Sequence, residues 1–164
     1  MRSSVDVHNF LLERDVQHEL FATRGRLRSP ERMAGVLDLP PSDVGKVVIL
    51  DGPGGPVAAV LPSDRSVEPA KVASAVGRSS LEVVPDARAS RITQYLAETI
   101  PPAGLPGTVP VVVDRSMNRD VVLYFPGGDA RVVLKIRGKD LVRATSACVA
   151  AISSRARPRE RAER

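Results

Sequence analysis

The residue with the clearest chemical potential is Lys46, a single cation inside the apolar run 44–50, which is typical of a buried strand. The chain has four lysines and twenty arginines, so its positive charge is normally carried by arginine. Burying an ammonium is costly unless an anion or several acceptors meet it. Lys46 therefore has two interpretations: it anchors a ligand, or its stem lies along the sheet while the ammonium reaches water.

Other residues that carry chemistry do not form a catalytic or metal-binding motif. His8 and His18 are ten residues apart with no third histidine to complete a metal site, and we expect His8 at the surface. Cys148 is the only cysteine, expected as a small buried thiol on the last helix. The glycine-rich segment 52–55 precedes a strand and lacks the lysine–hydroxyl pair of a phosphate-binding loop. We therefore predict no metal and no cofactor.

The elements that position these residues alternate between helices and strands. Ser29 and Pro30 are typical of a helix start, and Gly77 of a helix end. Several connections are as short as hairpins, which favours a mixed, mostly antiparallel sheet in an α+β domain over a doubly wound fold. The predicted helices cover about residues 4–14, 29–37, 67–77, 85–96 and 139–152, and the predicted strands about 16–21, 44–50, 56–61, 81–84, 109–113, 120–125 and 131–136.

The composition is that of one soluble domain. A chain of 164 residues that is 43% apolar can bury a core, and with 3% aromatic residues that core must consist mainly of aliphatic side chains. No apolar run has the roughly 18 residues of a membrane span, and the first residues lack a secretory signal, so we expect a cytoplasmic protein without a membrane partner. Much of the net charge of +5 lies in residues 153–164, which hold five Arg and two Glu. We predict a domain over 1–152 and a disordered basic tail over 153–164.

An ordered series of segments resembles the YbaK/prolyl-tRNA-synthetase-associated domain, and the likeness extends over about residues 4–150. A lysine-bearing strand is followed by a strand that ends in Pro-Ser-Asp-Arg and by a helix that leads to a glycine. A Pro/Gly loop, an aspartate-ended strand, a glycine turn and a closing Asp-Leu come next. The matching segments are 44–50 (VGKVVIL), 57–65 (VAAVLPSDR), 70–77 (AKVASAVG), 93–95 (TQY), 102–104 (PAG), 109–114 (VPVVVD), 125–128 (FPGG) and 140–141 (DL).

The resemblance implies a single-domain curved sheet of about seven strands surrounded by helices, and a hydrolase that deacylates mischarged aminoacyl-tRNA. Members of this family act alone as trans-editing enzymes or as the editing insert of prolyl-tRNA synthetase, so aminoacyl-tRNA and an aminoacyl-tRNA synthetase are the implied partners. Lys46 would be the functional cation. The implied substrate-binding residues are Glu98, Thr99, Ile100, Pro101 and Pro102 in the loop, with Gly127 and Gly128 as the opposite wall of the pocket.

Two features keep alternatives open. Glu98 and Thr99 stand where the family loop usually has Gly-Gly, so a non-catalytic module on the same fold, binding a tRNA end, a nucleotide or a protein, is the second hypothesis; an unrelated small-molecule hydrolase is a third. We expect arginines near the loop, Arg88 and Arg91, to hold the Glu98 carboxylate. The spacing of three further arginines by two residues predicts either contacts to tRNA phosphates or a solvated edge. These are Arg24, Arg26 and Arg28.

Overall fold

The computed structural model describes residues 1–27 and 29–156. Within these residues the chain forms five α-helices and ten β-strands. The helices are α1 (Ser4–Glu13), α2 (Pro30–Val36), α3 (Pro69–Val76), α4 (Asp86–Thr93) and α5 (Gly138–Thr145). The strands are β1 (Glu19–Ala22), β2 (Gly45–Asp51), β3 (Val57–Pro62), β4 (Arg65–Val67), β5 (Glu82–Val83), β6 (Val111–Asp114), β7 (Val122–Pro126), β8 (Val132–Arg137), β9 (Cys148–Ala150) and β10 (Ser153–Arg155).

The strands pair in three sheets with mixed, mostly antiparallel topology. The largest has the order β5-β2-β3-β6-β9, in which the β3–β6 and β6–β9 pairs are parallel. A three-stranded antiparallel sheet has the order β1-β8-β7, and β4 pairs with β10. A bridge between Val44 and Tyr124 connects the first two sheets at the start of β2. The predicted α+β class and mostly antiparallel pairing are confirmed. The prediction had one sheet of about seven strands, whereas the described residues form ten strands in three sheets.

The core lies on both faces of the five-stranded sheet. Its central strand β3 is buried along its whole length, as an apolar strand with neighbours on both sides requires. Alternate residues of β2 face opposite ways: Ile49 packs in the cluster with α1 and Tyr95, whereas Leu50 packs in the cluster with α3. By the same alternation, Lys46 is on the Leu50 side and pairs with Leu61 of β3.

Local signals fixed the ends of two helices as predicted. The Ser29 hydroxyl accepts a hydrogen bond from the Arg32 amide at 3.2 Å, and Pro30 occupies the first turn of α2. Gly77 ends α3 in the left-handed conformation, with φ of 70°. The β2–β3 hairpin also forms, because Gly54 and Gly55 take φ of 100° and 104° in its turn. This hairpin holds Lys46 at the end remote from the turn.

The carboxyl-terminal region differs from the sequence prediction. The predicted helix over 139–152 is wrong beyond Thr145, because Ser146 turns left-handed and β9 then joins the edge of the large sheet beside β6. Cys148 is therefore exposed at the start of β9 and not buried on a helix. The predicted disordered tail is wrong for Ser153–Arg155, which pairs antiparallel with β4, so the domain extends past 152. Residues 157–164 of that tail lie outside the described residues.

No helix in the described part of the chain has the length and apolar character needed to cross a bilayer.

Candidate functional site

Lys46 extends from β2 to the edge of the sheet, where its ammonium meets one anion and one carbonyl. Its Nζ lies 3.3 Å from Oε1 of Glu31 and donates to the Ser63 carbonyl at 3.2 Å. The side chain is 20% exposed, so the stem packs while the head stays accessible from water. Glu31 is in the first turn of α2, which begins at the cap of Ser29. The stem lies along the sheet, as the second interpretation expects, and the head has two polar partners within the protein; the interpretation that Lys46 anchors a ligand stays a prediction.

The loop expected to face the substrate begins as a 3₁₀ helix, Ala97–Thr99. Thr99 is buried, and both its amide and its hydroxyl donate to the Leu96 carbonyl, at 2.8 and 2.9 Å. Ile100 packs into the core cluster with Tyr95. Pro101 and Pro102 are buried and have no N–H group. Within Thr99–Pro102 and among the described residues, only the Ile100 amide remains as a backbone donor without an acceptor.

The glycine turn after β7 contacts this loop directly. The Gly128 amide donates to the Thr99 carbonyl at 3.1 Å, and the Gly127 amide donates to Val132 at 2.9 Å. Gly128 has φ of 96°, and a Cβ there would lie 3.0 Å from backbone atoms at the start of α1. A side chain at Gly128 would therefore be strained by the backbone conformation and would crowd the start of α1. The structure thus brings together the predicted loop and the predicted second wall.

Glu98 is held by Arg26, not by the arginines of α4. The Arg26 guanidinium donates to Glu98 Oε1 from Nη2 at 2.6 Å and from Nε at 3.1 Å. The expectation that Arg88 and Arg91 hold Glu98 is wrong: Arg88 pairs with Asp51 beside the β2–β3 turn, and among the described residues no hydrogen bond or ion pair joins Arg91 to Glu98. Sequence reasoning missed this pairing because the partners are 72 residues apart.

The three spaced arginines have different surroundings. Arg26 is paired as described, Arg24 is exposed on the same segment, and Arg28 lies outside the described residues. The segment that carries these arginines lies alongside the turn between β7 and β8, because the Leu27 amide donates to the Ala130 carbonyl at 3.0 Å. Arg26 and Leu27 also line a cleft of about 330 Å³ with Arg32 and Val36 of α2.

These contacts join the segment around Arg26, the loop and the glycine turn directly, whereas no hydrogen bond of Lys46 reaches the loop; we refer to all of these residues together as the Lys46–Thr99 surface. It consists of Lys46 with Glu31, the segment around Arg26, the loop from Glu98 to Pro102, and the turn at Gly127 and Gly128. The hydrogen bonds of Lys46 go to α2 and to the residue after β3, so Lys46 is connected to the loop through α2 and the segment before it. Glu31 was the residue that sequence reasoning missed: its place in a first helical turn indicated only a favourable helix dipole.

Two buried polar groups fasten the chain on either side of β6. The Tyr95 hydroxyl, fully buried, donates to the Gly104 carbonyl at 2.7 Å, and burial with the nearby Asp6 charge raises the pKa of this phenol above its ordinary range. Asp114 ends β6 and is also buried; burial alone would raise its carboxyl pKa, but hydrogen bonds from Ser116, Ile152 and Ser153 lower it overall. The Tyr95 bond closes the loop between α4 and β6 onto its own start, whereas the Asp114 bonds hold the chain after β6 to Ile152 and Ser153.

Comparison with known proteins agrees with this fold and these segments. The chain matches the aminoacyl-tRNA editing domain over residues 25–144, which include Lys46, the loop and the glycine turn. A comparison with curated proteins finds no match.

Among solved structures, the hypothetical protein APE2540 is 25% identical with a TM-score of 0.84, over 91% of this chain and 99% of that one. A crystallised candidate trans-editing enzyme for prolyl-tRNA synthetase is 18% identical with a TM-score of 0.80, over 94% of this chain and 98% of that one. A candidate signal transduction protein from Marinobacter aquaeolei VT8 is 17% identical with a TM-score of 0.65; the match covers 91% of this chain and 30% of that protein. Because the editing-domain match covers well over half of the sequence, the chain belongs to the aminoacyl-tRNA editing domain family.

Proposed function

We propose that this protein is a trans-editing hydrolase that deacylates a mischarged aminoacyl-tRNA. The observation that carries the proposal is the placement of Lys46, an accessible ammonium at the edge of a sheet that belongs to an editing-domain fold. A tRNA substrate implies a cytoplasmic reaction and an aminoacyl-tRNA synthetase as the source of the mischarged ester. No cofactor or metal enters the proposed reaction.

Lys46 is proposed as the cation that anchors the substrate. An ammonium has three donor hydrogens, and two acceptors within the protein lie near this one, so one hydrogen remains for a phosphate or carbonyl oxygen of the substrate. Glu31 is 53% exposed and holds the ammonium by a surface ion pair of modest strength. A phosphate oxygen can therefore displace Glu31 without leaving a buried charge unpaired.

The loop is proposed to stabilise the oxyanion that forms during ester hydrolysis. Water adds to the ester carbonyl, the negative oxygen of the tetrahedral intermediate accepts hydrogen bonds, and the ribose oxygen then leaves with a proton as the hydroxyl of the tRNA end. The Ile100 amide is the donor available within Thr99–Pro102, since Thr99 is already bonded and two prolines follow. The family resemblance implies that a substrate hydroxyl positions the water, which agrees with a site without a protein nucleophile.

Basic residues beside the loop are proposed to contact tRNA phosphates. Arg24 and Arg26 are exposed on the segment that precedes α2, and Arg28 extends the same series in sequence. Phosphate contacts of this kind position a nucleic acid without reading its sequence. Arg26 has the additional contact to Glu98, so its contribution to tRNA binding requires that contact to open or to be shared.

The test is a deacylation panel with Ala-, Cys- and Ser-charged tRNA as substrates. We expect turnover on at least one mischarged pair, and Lys46→Ala should abolish it while Lys46→Arg retains part through its charge. Lys71→Ala is the matched control, because Lys71 is an exposed lysine on α3, a helix that contributes no residue to the Lys46–Thr99 surface. Absence of turnover on every ester at high enzyme concentration, or full activity of Lys46→Ala, would refute the proposal.

A second candidate is a non-catalytic module that binds a tRNA end, a nucleotide or a protein. The observation that favours it is the Arg26–Glu98 pair, which puts a charged side chain beside Thr99, where the family usually has glycine. In that case the protein would bind tRNA without cleaving its ester, and the affinity would fall steeply as salt rises. Binding measured with uncharged and charged tRNA, beside the deacylation panel, distinguishes the two.

A further inference from the structure

We propose that His8 and His18 form a two-histidine binding site for a divalent transition metal, with Cu²⁺ preferred. His8 projects from α1 and His18 precedes β1, and Nδ1 of His8 lies 2.9 Å from Nε2 of His18. Both rings are reachable from solvent, with ring centroids 5.0 Å apart. The pair belongs to elements other than those that build the Lys46–Thr99 surface.

The hydrogen bonds of His18 fix which nitrogen can bind a metal. Its Nδ1 lies 2.8 Å from the Val16 carbonyl oxygen, which can only accept, so Nδ1 carries the hydrogen. Nε2 of the neutral ring then has a lone pair directed at His8. An N–H donating to a backbone carbonyl is the arrangement that fixes the tautomer of metal-binding histidines and raises their basicity. His18 is therefore pre-organised as a ligand through Nε2.

His8 is the second ligand after a change of tautomer. Its Nδ1 hydrogen now donates to His18 Nε2; when a metal binds, that proton leaves to solvent and Nε2 of His8 takes one up. Exposure of His8 to water makes this exchange accessible. Rotation of the two rings then turns both lone pairs from the line between the nitrogens towards one metal.

The separation of the nitrogens favours some metals over others. With metal–nitrogen bonds of about 2.0–2.1 Å, two nitrogens 2.9 Å apart subtend an angle of about 90° at the metal. That is the cis angle of a tetragonal site, which suits Cu²⁺ and Ni²⁺, whereas tetrahedral Zn²⁺ prefers a wider angle. Among the described residues no group of three or more His, Cys, Asp or Glu side chains is arranged as metal ligands, so water completes the coordination.

The charges around His18 are mixed. A cleft of about 310 Å³ beside it is lined by Glu19 and Asp140 and by Lys135 and Arg137. Glu19 and Lys135 pair at 3.7 Å, and Asp140 lies 3.5 Å from a nitrogen of Arg143, so much of the charge is balanced within the protein. The neighbours therefore neither attract nor exclude a cation strongly, and the imidazoles determine the affinity.

The experiment titrates the full chain, without a histidine tag, with Cu²⁺, Ni²⁺ and Zn²⁺. A Cys148→Ser background removes the exposed thiol, which would otherwise compete for Cu²⁺. We expect one Cu²⁺ per chain, an electron paramagnetic resonance spectrum with two imidazole nitrogens, and affinities in the order Cu²⁺, Ni²⁺, Zn²⁺. His8→Gln and His18→Gln should each weaken Cu²⁺ binding by at least about tenfold.

In the protein that keeps both histidines, ¹⁵N labelling of their rings counts the imidazoles bound to Cu²⁺ directly. This measurement does not depend on how the glutamine variants fold. A spectrum with no imidazole nitrogen or with one, or an affinity for Cu²⁺ that both glutamine variants retain, would overturn the proposal. Tighter binding of Zn²⁺ than of Ni²⁺ would refute the tetragonal geometry.

Discussion

Asp114 provides the sharpest test of how this fold is held together. Its carboxylate is buried at the end of β6, and Oδ1 accepts from the Ile152 amide at 3.0 Å and from the Ser153 hydroxyl at 2.9 Å. Oδ2 accepts from the Ser116 amide at 3.2 Å and from the Ser116 hydroxyl. One side chain thus holds the chain after β6 and the chain between β9 and β10.

Replacing Asp114 by Ala leaves two buried donors, the Ile152 amide and the Ser153 hydroxyl, without this acceptor, while the amide of the exposed Ser116 can bond water. Each buried unsatisfied donor costs about 1–3 kcal/mol, while the variant no longer has to bury a carboxylate. We therefore expect the free energy of unfolding to fall by about 2–4 kcal/mol, within the lower part of the summed range. For a protein of this size that corresponds to a melting temperature lower by about 4–16 °C.

The effect should depend on pH in a defined direction. The folded-state pKa of Asp114 is lowered, so the unfolded chain takes up this proton more readily than the folded one. The stabilisation is therefore fully present above the unfolded aspartate pKa of about 3.9 and is lost as pH falls through the folded value. The gap in unfolding free energy between wild type and Asp114→Asn should be widest near neutral pH and should narrow in acid.

Urea denaturation at several pH values measures these differences. Asp120→Asn is the matched control, because its side chain is 73% exposed and pairs only at the surface with Arg137; we expect a change within about 0.5 kcal/mol. If Asp114→Ala unfolds within about 1 kcal/mol of wild type, or if the gap from Asp114→Asn is the same at all pH values, the carboxylate does not fasten these segments as argued.

Three further predictions concern the candidate site. Gly45→Ala should lower stability by about 1–3 kcal/mol or more, because its new Cβ would overlap the Phe125 ring, whereas Gly107→Ala has open space; thermal melts compare them. Lys46→Ala should change unfolding free energy by no more than about 1 kcal/mol in urea, since its ion pair is partly exposed; a larger loss would make Lys46 structural. Glu98→Gly should lower kcat/KM by about tenfold, the scale of one charge-assisted hydrogen bond to the substrate α-ammonium. Arg26→Ala frees the same carboxylate but removes a proposed phosphate contact, so it should raise KM for tRNA and leave kcat unchanged; a loss of kcat equal to that of Glu98→Gly would mean that only the ion pair matters.

Much of the fold could be predicted because its signals are local. A serine before a proline starts α2, a glycine with positive φ ends α3, and the Gly-rich turn closes the β2–β3 hairpin, each through contacts within a few residues. The apolar run 44–50 likewise indicates the strand that carries Lys46. These features depend on backbone conformation and short-range hydrogen bonds, which the neighbouring residues determine.

The carboxyl-terminal end could not be predicted in the same way. Residues 146–152 are mostly small or β-branched, a composition that suits either a helix face or a buried strand. Residues 148–150 form a strand because the free edge of β6 offers backbone hydrogen-bond partners. Ser153–Arg155 has a polar and charged sequence that favours disorder, yet β4 supplies backbone partners, and Arg65 donates to the Ser153 carbonyl at 3.0 Å. Such pairing depends on elements far away in sequence.

For the candidate site, the sequence by itself determined the residue types and the segments that carry them: Lys46 on a strand, the Pro/Gly loop, and the glycine turn. Only the tertiary structure decided their partners. Glu31 meets Lys46, Arg26 meets Glu98 across 72 positions, and Gly128 donates to Thr99. The reason is physical: a side chain's charge and reach are properties of its type, whereas the group it meets depends on how the sheets and the segment before α2 pack together.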